Sequence, residues 1–538
     1  MDKSFDYRGW GAVLFIILVA AVIRLNMLSL PLERDEGVYA YIGQLVLHGL
    51  PPYKYAVDMR LPGLYLVYAL ILKVFGQTNV GVHAGLIFVN AGTCVLLFLL
   101  GRRLLNSFTG VIAAGSFAVL SLSSSVLGAM THPEHFVMFF AVAGAYLLAG
   151  APEDGGRYGL KVFLSGLLLG TGMLMKQHGM LFIFFGGIYL AITLLRRRPF
   201  RSKPLLARLG VFSAGSALPY IFTCLILLLA GVFDDFWFST VTYARAYVDI
   251  VPLGKAFLMF KARLLDIMAA SSPIWVLAGA GLTAQLWYKE ARKRFLFLTL
   301  FFIFSLLAVL PGLYFRRHYF ILLLPAVAML AAVGADSLRD LCLRSGRTAA
   351  RSTAIVVLAA LAVAYPIYHQ RGVLFPSNPE KASRMIYGAN PFPESQVVAR
   401  YIKEHSGQDD KIAILGSEPQ ILFYSQRLSA TRYIYTYPLM EGHRFALGMQ
   451  REMIREIEEA KPLYLVFVQL QVSWLMRPES KTVIFDWFRD YQTMFYERVG
   501  VVDMIPGEET RFYWDGAAGT VTPQSNNNIF VYRRKAGL

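Results

Sequence analysis

The stretch PGLYLVYALILKVFG, residues 62–76, decides how this chain is threaded. It is apolar enough to enter a bilayer, yet short, because a helix needs about 20 residues to cross a hydrocarbon core roughly 30 Å thick. Elsewhere the chain offers apolar runs near 10–30, 80–101, 108–130, 134–150, 160–176, 179–195, 206–231, 264–288, 295–311, 318–336 and 352–370, about eleven spans. Charge bias then sets the part played by 62–76. If it does not cross, Lys3/Arg8, Arg102/Arg103, Arg157/Lys161, the run Arg196 to Arg208, Lys289 to Arg294 and Arg339 to Arg351 all fall on one side. Were it to cross, every cluster from Arg102 onward would change sides and leave the amino-terminal pair behind. Lys and Arg accumulate on the cytoplasmic side. The stretch therefore reads as a surface-lying or re-entrant helix.

Composition points the same way. Hydrophobic residues make up 56% of the chain and charged residues 16%, against roughly 45–50% and about 25% in soluble proteins. The expected fold class is an α-helical polytopic membrane protein with outer juxtamembrane helices and a soluble α/β unit at the C-terminal end. A net charge of +17 would suggest nucleic acid in a soluble chain. Here the basic residues sit in short loops where topology explains them, and no nucleic-acid partner is expected. Cys94, Cys224 and Cys342 show no metal-like spacing, so neither a zinc site nor a disulfide framework is indicated. The first apolar run has no small-residue cleavage site and outlasts a signal h-region. It is expected to stay as the first span.

The same threading places 31–79, 130–134, 177–179, 232–263, 312–317 and everything after about 371 on the outer side. The tail alternates helix-like and strand-like runs: VVARYIKEH, KIAILG, REMIREIEEA, LYLVFV, FDWFRDYQTMF and IFVYRR. Such alternation predicts a small α/β domain. Two domains are expected, a transmembrane catalytic domain over 1–370 and an outer α/β domain over 371–538.

Candidate chemistry collects in the outer segments. Asp35 and Glu36 follow the first span at the start of a helix-like stretch, where adjacent carboxylates are favoured in the ionised form. An ionised carboxylate can act as a general base or a metal ligand; an ordinary acidic helix start is the alternative. Asp58 and Arg60 precede Leu61-Pro62-Gly63, and a guanidinium fork matches phosphate oxygens, as it also matches a lipid headgroup. His132-Pro133-Glu134-His135 fills a very short outer turn, rich enough in ionisable groups to line a polar cavity and open to metal binding. Lys176-Gln177-His178 occupies another tight turn, Arg316-Arg317-His318-Tyr319 opens a late span, and Arg245 and Lys255 lie in the long outer loop beside Tyr243 and Tyr247. Singly, each is more often a snorkelling or capping residue. Together they predict an outward-facing ring of cations around acidic residues, suited to binding a phosphate and activating a hydroxyl.

These residues resemble a known family. RDEGVYAYIGQLVLHGLPPY followed by DMRLPGLYLVYALILKVFG is similar to the first outer loop of the aminoarabinose transferase and protein O-mannosyltransferase superfamily, multi-span glycosyltransferases with the C-type fold. Members read Asp-Glu, a Tyr, Gly-x-Pro-Tyr, then Lys-x-Pro or Lys-Pro-Pro and an aliphatic run ending Phe-Gly. RRHYFILLLPAVAMLAA resembles the family's late Arg-x-x-Tyr segment, and KIAILGSEPQILFYSQRLSATRYIY is similar to the outer segment of many bacterial members. The resemblance implies Asp35 as catalytic base with Glu36 beside it, Arg60 in place of the lysine that binds donor phosphate, and Glu134 in place of a second acid, usually aspartate. Arg60 keeps the charge, whereas Glu134 is one methylene longer than the family's residue.

What the resemblance implies is an inverting transfer of a sugar from a polyprenyl-monophosphate donor at the outer face of a bacterial inner membrane. Arg60, Arg245, Arg316 and Arg317 would hold the donor phosphate. Asp58, His132, Lys176, His178 and Tyr319 would serve sugar, acceptor or metal. A divalent metal is an open cofactor, and the lipid-linked sugar is itself the donor substrate. The expected partners are that donor, the membrane and a lipid, glycan or protein acceptor; the oligomeric state is open. No nucleotide site is needed, and no Walker-type glycine loop occurs. A polysaccharide flippase or transporter is the first alternative, but it would bury ionisable groups at mid-membrane, where Arg24 is the main charge and is placed to snorkel outward. A ligase of the O-antigen type is the second.

Overall fold

The computed structural model describes residues 6–150, 158–248, 252–344 and 349–537; Lys3, Arg157 and Arg347 of the basic loops lie outside these. A helical bundle carries the apolar runs. Helix α1 (Tyr7–Leu25) starts at Asp6, whose carboxylate accepts from the Gly9 N–H at 2.9 Å. Among the described residues, seven helices are long and apolar enough to cross a membrane, and one bent pair adds an eighth.

Two segments depart from the continuous spans expected. Over 108–130 the α-helix stops at Leu120, and a short 3-10 turn and irregular chain lead on to Pro133. Leu127 there is left-handed, at φ 54. Arg24 satisfies the freed carbonyls: its guanidinium donates to Ser121 O at 2.8 Å and Gly128 O at 3.0 Å. It is therefore buried as a backbone clamp, 5% exposed, and does not snorkel as the sequence suggested. Over 264–288 the helix breaks at Ser271, and Leu253–Ala270 meets Ser272–Trp287 at 107°. Ser271 is the non-helical residue at the break, and Pro273, in the first turn of the second helix, has no N–H with which to continue the first.

After the first span come α2 (Arg34–Leu47) and α3 (Gly63–Phe75). With 13 residues, α3 rises about 20 Å, too short to cross a bilayer by itself. Leu66, Leu70 and Val74 form its exposed stripe, while Leu64, Tyr65, Tyr68, Ile71 and Leu72 are buried. Later in the bundle, Gly281 and Gly334 let two helices touch backbone to backbone. A Cβ on Gly281 would sit 1.8 Å from Leu330 O.

The C-terminal region forms one mixed sheet of six strands in the order β2-β1-β3-β6-β4-β5. Strands β1 (Lys411–Leu415), β3 (Tyr464–Gln469) and β6 (Asn528–Arg534) are the runs foreseen. Strands β2 (Leu428–Ser429), β4 (Tyr496–Asp503) and β5 (Arg511–Trp514) were not singled out in the sequence. Pairing is parallel across β2-β1-β3 and antiparallel from β3 through β6 and β4 to β5.

The sheet region is bonded onto the first outer loop. The turn after β1 receives Arg34: its guanidinium donates to Ser417 O and, at 2.8 Å, to Glu418, and it faces the rings of Phe392 and Tyr437. Ser473 Oγ donates to the other Glu418 oxygen at 2.5 Å. Nearby, Ser429 N donates to the Tyr41 hydroxyl and Leu32 N to the Tyr424 hydroxyl, each at 2.8 Å. Gly37 lets the two parts approach closely, because a Cβ there would lie 2.7 Å from Gln420 N. Glu418 is fully buried, so Glu418→Ala strands the Arg34 charge. Breaking a buried pair this way costs roughly 3–5 kcal/mol. Thermal unfolding in nanodiscs should show a clear drop in Tm against Asp486→Ala, whose parent side chain is 69% exposed; equal Tm values would show that the pair holds nothing together.

Candidate active site

Four consecutive charged residues start α2, and each points its side chain to a different task. Glu33 is the N-cap: its carboxylate accepts from Glu36 N at 3.0 Å, and Glu36 returns the bond to Glu33 N at 3.3 Å, a capping box. Arg34 reaches the sheet region. Asp35 faces a cavity of about 1130 Å³. Glu36 turns into the bundle, where its Oε1 accepts from Thr131 N at 2.6 Å and lies 3.2 Å from His83 Nε2. Successive helical residues are about 100° apart. Glu36 is spent on Thr131 and His83 inside the bundle and does not line the cavity.

The cavity is walled by residues 33–35 and 59–60, the turns at His132 and Lys176–His178, segments 240–247, 259–263 and 311–319, and C-terminal loops around 386–392, 435–441 and 475–477. Of the residues singled out in the sequence, Asp35, Arg60, His132, Lys176, His178, Arg245, Arg316, Arg317 and Tyr319 line it. Glu36, Asp58 and Glu134 do not. Asp58, 2% exposed, accepts from Arg60 Nη1 at 2.8 Å and from the Tyr65 hydroxyl at 2.7 Å. Glu134 is fully buried and accepts from Lys176 Nζ. Both acids thus stand behind a cavity cation and hold it in place. Lys255 lies exposed on Leu253–Ala270, away from the cavity lining.

Arg60 links the two roles. Its Nη2 is 3.4 Å from Asp35 Oδ1, and its guanidinium lies 5.4 Å from the centre of the Tyr39 ring. Burial alone would raise the Asp35 carboxyl, but the charges of Arg60, His132, Arg316 and Lys176 outweigh it, and Asp35 is held below the usual carboxylate range. Glu33 goes the other way: burial, then the Asp35 and Glu36 charges, push it well above that range. One helix turn thus shifts two acids in opposite directions, Asp35 down and Glu33 up. Arg60 and Lys176 have carboxylate partners. Arg245, Arg263, Arg316, Arg317 and Arg477 also line the cavity and have no ion pair to a carboxylate among the described residues.

Asp35, His132 and His318 bring one ligand atom each within 4.8 Å of one another. The two imidazoles stack with centroids 4.1 Å apart. Neither nitrogen of His132, nor Nδ1 of His318, has a hydrogen-bond partner although these atoms are buried. Burial holds His132 below its ordinary value against the pull of Glu134 and Asp35. A carboxylate with two neutral imidazoles is a donor set that fits a divalent ion. His318 was quoted in the sequence only as part of a late motif, since nothing local joins it to residue 35.

Sequence reasoning also passed over Glu33, Arg263, Glu441 and Arg477, all of which line the cavity. Glu33 caps α2 although the usual capping-box sequence starts with Ser or Thr, so the sequence did not single it out. Glu441 and Arg477 carried no signal either. The Glu441 carboxyl is pushed up to about 7, by burial first, while the Tyr243 hydroxyl, 2.8 Å away, works to lower it.

A family model described as dolichyl-phosphate-mannose-protein mannosyltransferase matches residues 60–222, a range that includes Arg60, His132, Glu134 and Lys176 and leaves out Asp35. No curated protein sequence gives a significant match. Among solved structures, ArnT from Cupriavidus metallidurans bound to undecaprenyl phosphate superposes with a TM-score of 0.60 at 12% identity, covering 98% of both chains. The archaeal oligosaccharyltransferase AglB from Archaeoglobus fulgidus, in complex with an inhibitory peptide and a dolichol-phosphate, gives 0.57 at 13% identity, covering 95% of this chain and 74% of that one. The Archaeoglobus fulgidus oligosaccharyltransferase in complex with Zn and sulfate gives 0.51 at 13% identity, covering 93% and 73%. At such identities the likeness is one of fold, and it extends well beyond the residues the family model matches. Residues 60–222 are thus similar to the dolichyl-phosphate-mannose-protein mannosyltransferase family, and the chain as a whole shares its fold with ArnT and AglB.

Proposed function

We propose that this chain is an inverting glycosyltransferase that moves a sugar from a polyprenyl-monophosphate donor to an acceptor hydroxyl at the outer face of a bacterial inner membrane. The observation that carries this reading is Asp35: an ionised acid, 26% exposed, in one cavity with Arg60, Arg316 and Arg317. ArnT bound to undecaprenyl phosphate and AglB in complex with a dolichol-phosphate support a lipid phosphate as the leaving group. The positive-inside bias of the loops supports the outer side. Residues 1–370 would form the membrane catalytic domain and 371–538 the outer domain that closes the cavity.

In this mechanism the acceptor oxygen attacks the anomeric carbon and its proton passes to Asp35. The new C–O bond forms on the face opposite the departing phosphate, so the configuration inverts. The anomeric C–O bond breaks, and its electron pair leaves on the polyprenyl phosphate. Charge grows on that phosphate in the transition state, and fixed cations there lower the barrier without reorganising. Arg316 and Arg317, which have no carboxylate partner among the described residues, are free to face it. Arg60 is held between Asp58 and Asp35 and orients the base. Asp35, His132 and His318 are the residues that would hold a divalent ion, which would supply Lewis-acid charge to the departing oxygen.

Two experiments follow. Asp35→Asn should lower sugar transfer from a polyprenyl-phosphate donor by about 10²–10⁴-fold, the usual worth of a general base, with the protein still accumulating in membranes. Turnover at the native rate would remove Asp35 from the chemistry. For the ion, direct metal analysis of purified protein dialysed against Zn²⁺ or Mn²⁺ should show one bound ion per chain. His132→Asn should weaken it by at least about tenfold, the loss expected even for a residue that only supports a ligand. Undiminished binding would discard the triad.

A further inference from the structure

The cavity is larger than one substrate head group requires. Its volume of about 1130 Å³ exceeds the roughly 300–1,000 Å³ that encloses a single drug-sized ligand, which leaves room for a second. A separate cluster of side chains lines it from other elements. The rings of Tyr247 and Tyr314 stack with centroids 4.5 Å apart at 16°. Glu441 Oε2 accepts from the Tyr243 hydroxyl at 2.8 Å, which fixes the carboxyl, and no group among the described residues hydrogen-bonds its Oε1. Arg477 acts on both Tyr314 and Glu441. The charge of Arg316 reaches Asp35 as well as Glu441, so the two clusters adjoin.

We propose that Tyr247, Tyr314, Glu441 and Arg477 form an acceptor subsite that takes a sugar ring, so that the acceptor of the transfer is a glycan; this rests on the transferase reading above. A pyranose offers an apolar C–H face and a rim of hydroxyls, each both donor and acceptor. The flat phenol pair suits the face, since aromatic side chains with a polar tip serve surfaces that are half apolar and half wet. The rim needs groups of both senses. Arg477 donates, and a carboxyl near half-protonation at neutral pH supplies both. One way of recognising a peptide acceptor is to add it as a strand to an exposed sheet edge. Tyr435, Tyr437, Glu441, Leu475 and Arg477 all lie in loops or short helices, so the sheet offers the cavity no strand edge.

Saturation-transfer NMR on the full chain in nanodiscs tests this without any donor. The ligands are the methyl α-glycosides of glucose, galactose and mannose, N-acetylglucosamine, maltotriose, and a serine-containing hexapeptide. At least one saccharide should receive saturation from the wild-type protein and from Asp35→Asn. Tyr247→Leu and Glu441→Gln should each weaken it by about tenfold, the worth of one lost hydrogen bond or ring contact. Glu441→Gln keeps shape and size, so it carries the test if Tyr247→Leu lowers the Tm. No saccharide signal, a signal unchanged in Glu441→Gln, or a signal from the peptide alone would overturn the proposal. Sugar binding in a protein that transfers nothing would refute only the transferase reading.

Discussion

The site depends on the pairing of Arg34 with Glu418. A guanidinium is costly to bury unless every donor is met, and here Ser417, Glu418 and two aromatic faces meet it. That contact fixes the first turn of α2 against the sheet region, and the same turn carries Asp35. The residues on either side are committed as firmly, Glu33 to the cap and Glu36 to Thr131 and His83. With three of the four side chains held, the fourth has one direction left. Asp35 is positioned by its neighbours' bonds more than by its own.

A second regularity runs through the cations. Those nearest Asp35 are braced from behind by acids outside the cavity, Arg60 by Asp58 and Lys176 by Glu134. Bracing fixes a side chain but consumes much of its charge. The arginines on 311–319 and on Leu253–Ala270 have no such brace among the described residues, so their fields reach into the cavity largely uncancelled. The cavity thus divides its cations into positioned ones and available ones, a distinction that a count of basic residues cannot make.

Much of this was legible in the sequence. Apolar blocks gave the helical bundle, and alternating runs in the tail gave three of the six strands. The motif around Asp35 and Arg60 gave two residues that the structure brings together at the cavity, because they lie within one short loop. What failed has identifiable causes. Glu36 looked like a partner of Asp35 because it is adjacent in sequence, but its carboxylate is taken up by Thr131 and His83. Glu134 and Asp58 looked like site acids because they are charged near the right turns, but ion pairing consumed them. Arg24 looked like a snorkelling residue because the break after Leu120, whose carbonyls it serves, is invisible in an apolar run. Glu441, Arg477 and His318 reach the cavity only through tertiary folding, hundreds of residues from Asp35. Strand β4 was hidden because it continues directly from a helix with no turn residue between them.

The 107° break at Ser271 has a consequence for how a long-tailed substrate would travel. Leu253–Ala270 turns Met259, Ala262 and Arg263 to the cavity and leaves Leu253, Phe257, Leu258 and Leu265 exposed. That wall is a single helix, with polar space on one side and an apolar stripe on the other. A molecule whose head is ionic and whose tail is hydrocarbon could slide its head past this helix while the tail stays among the acyl chains. Search for the site then becomes movement within a plane, and no step requires the tail to be wetted.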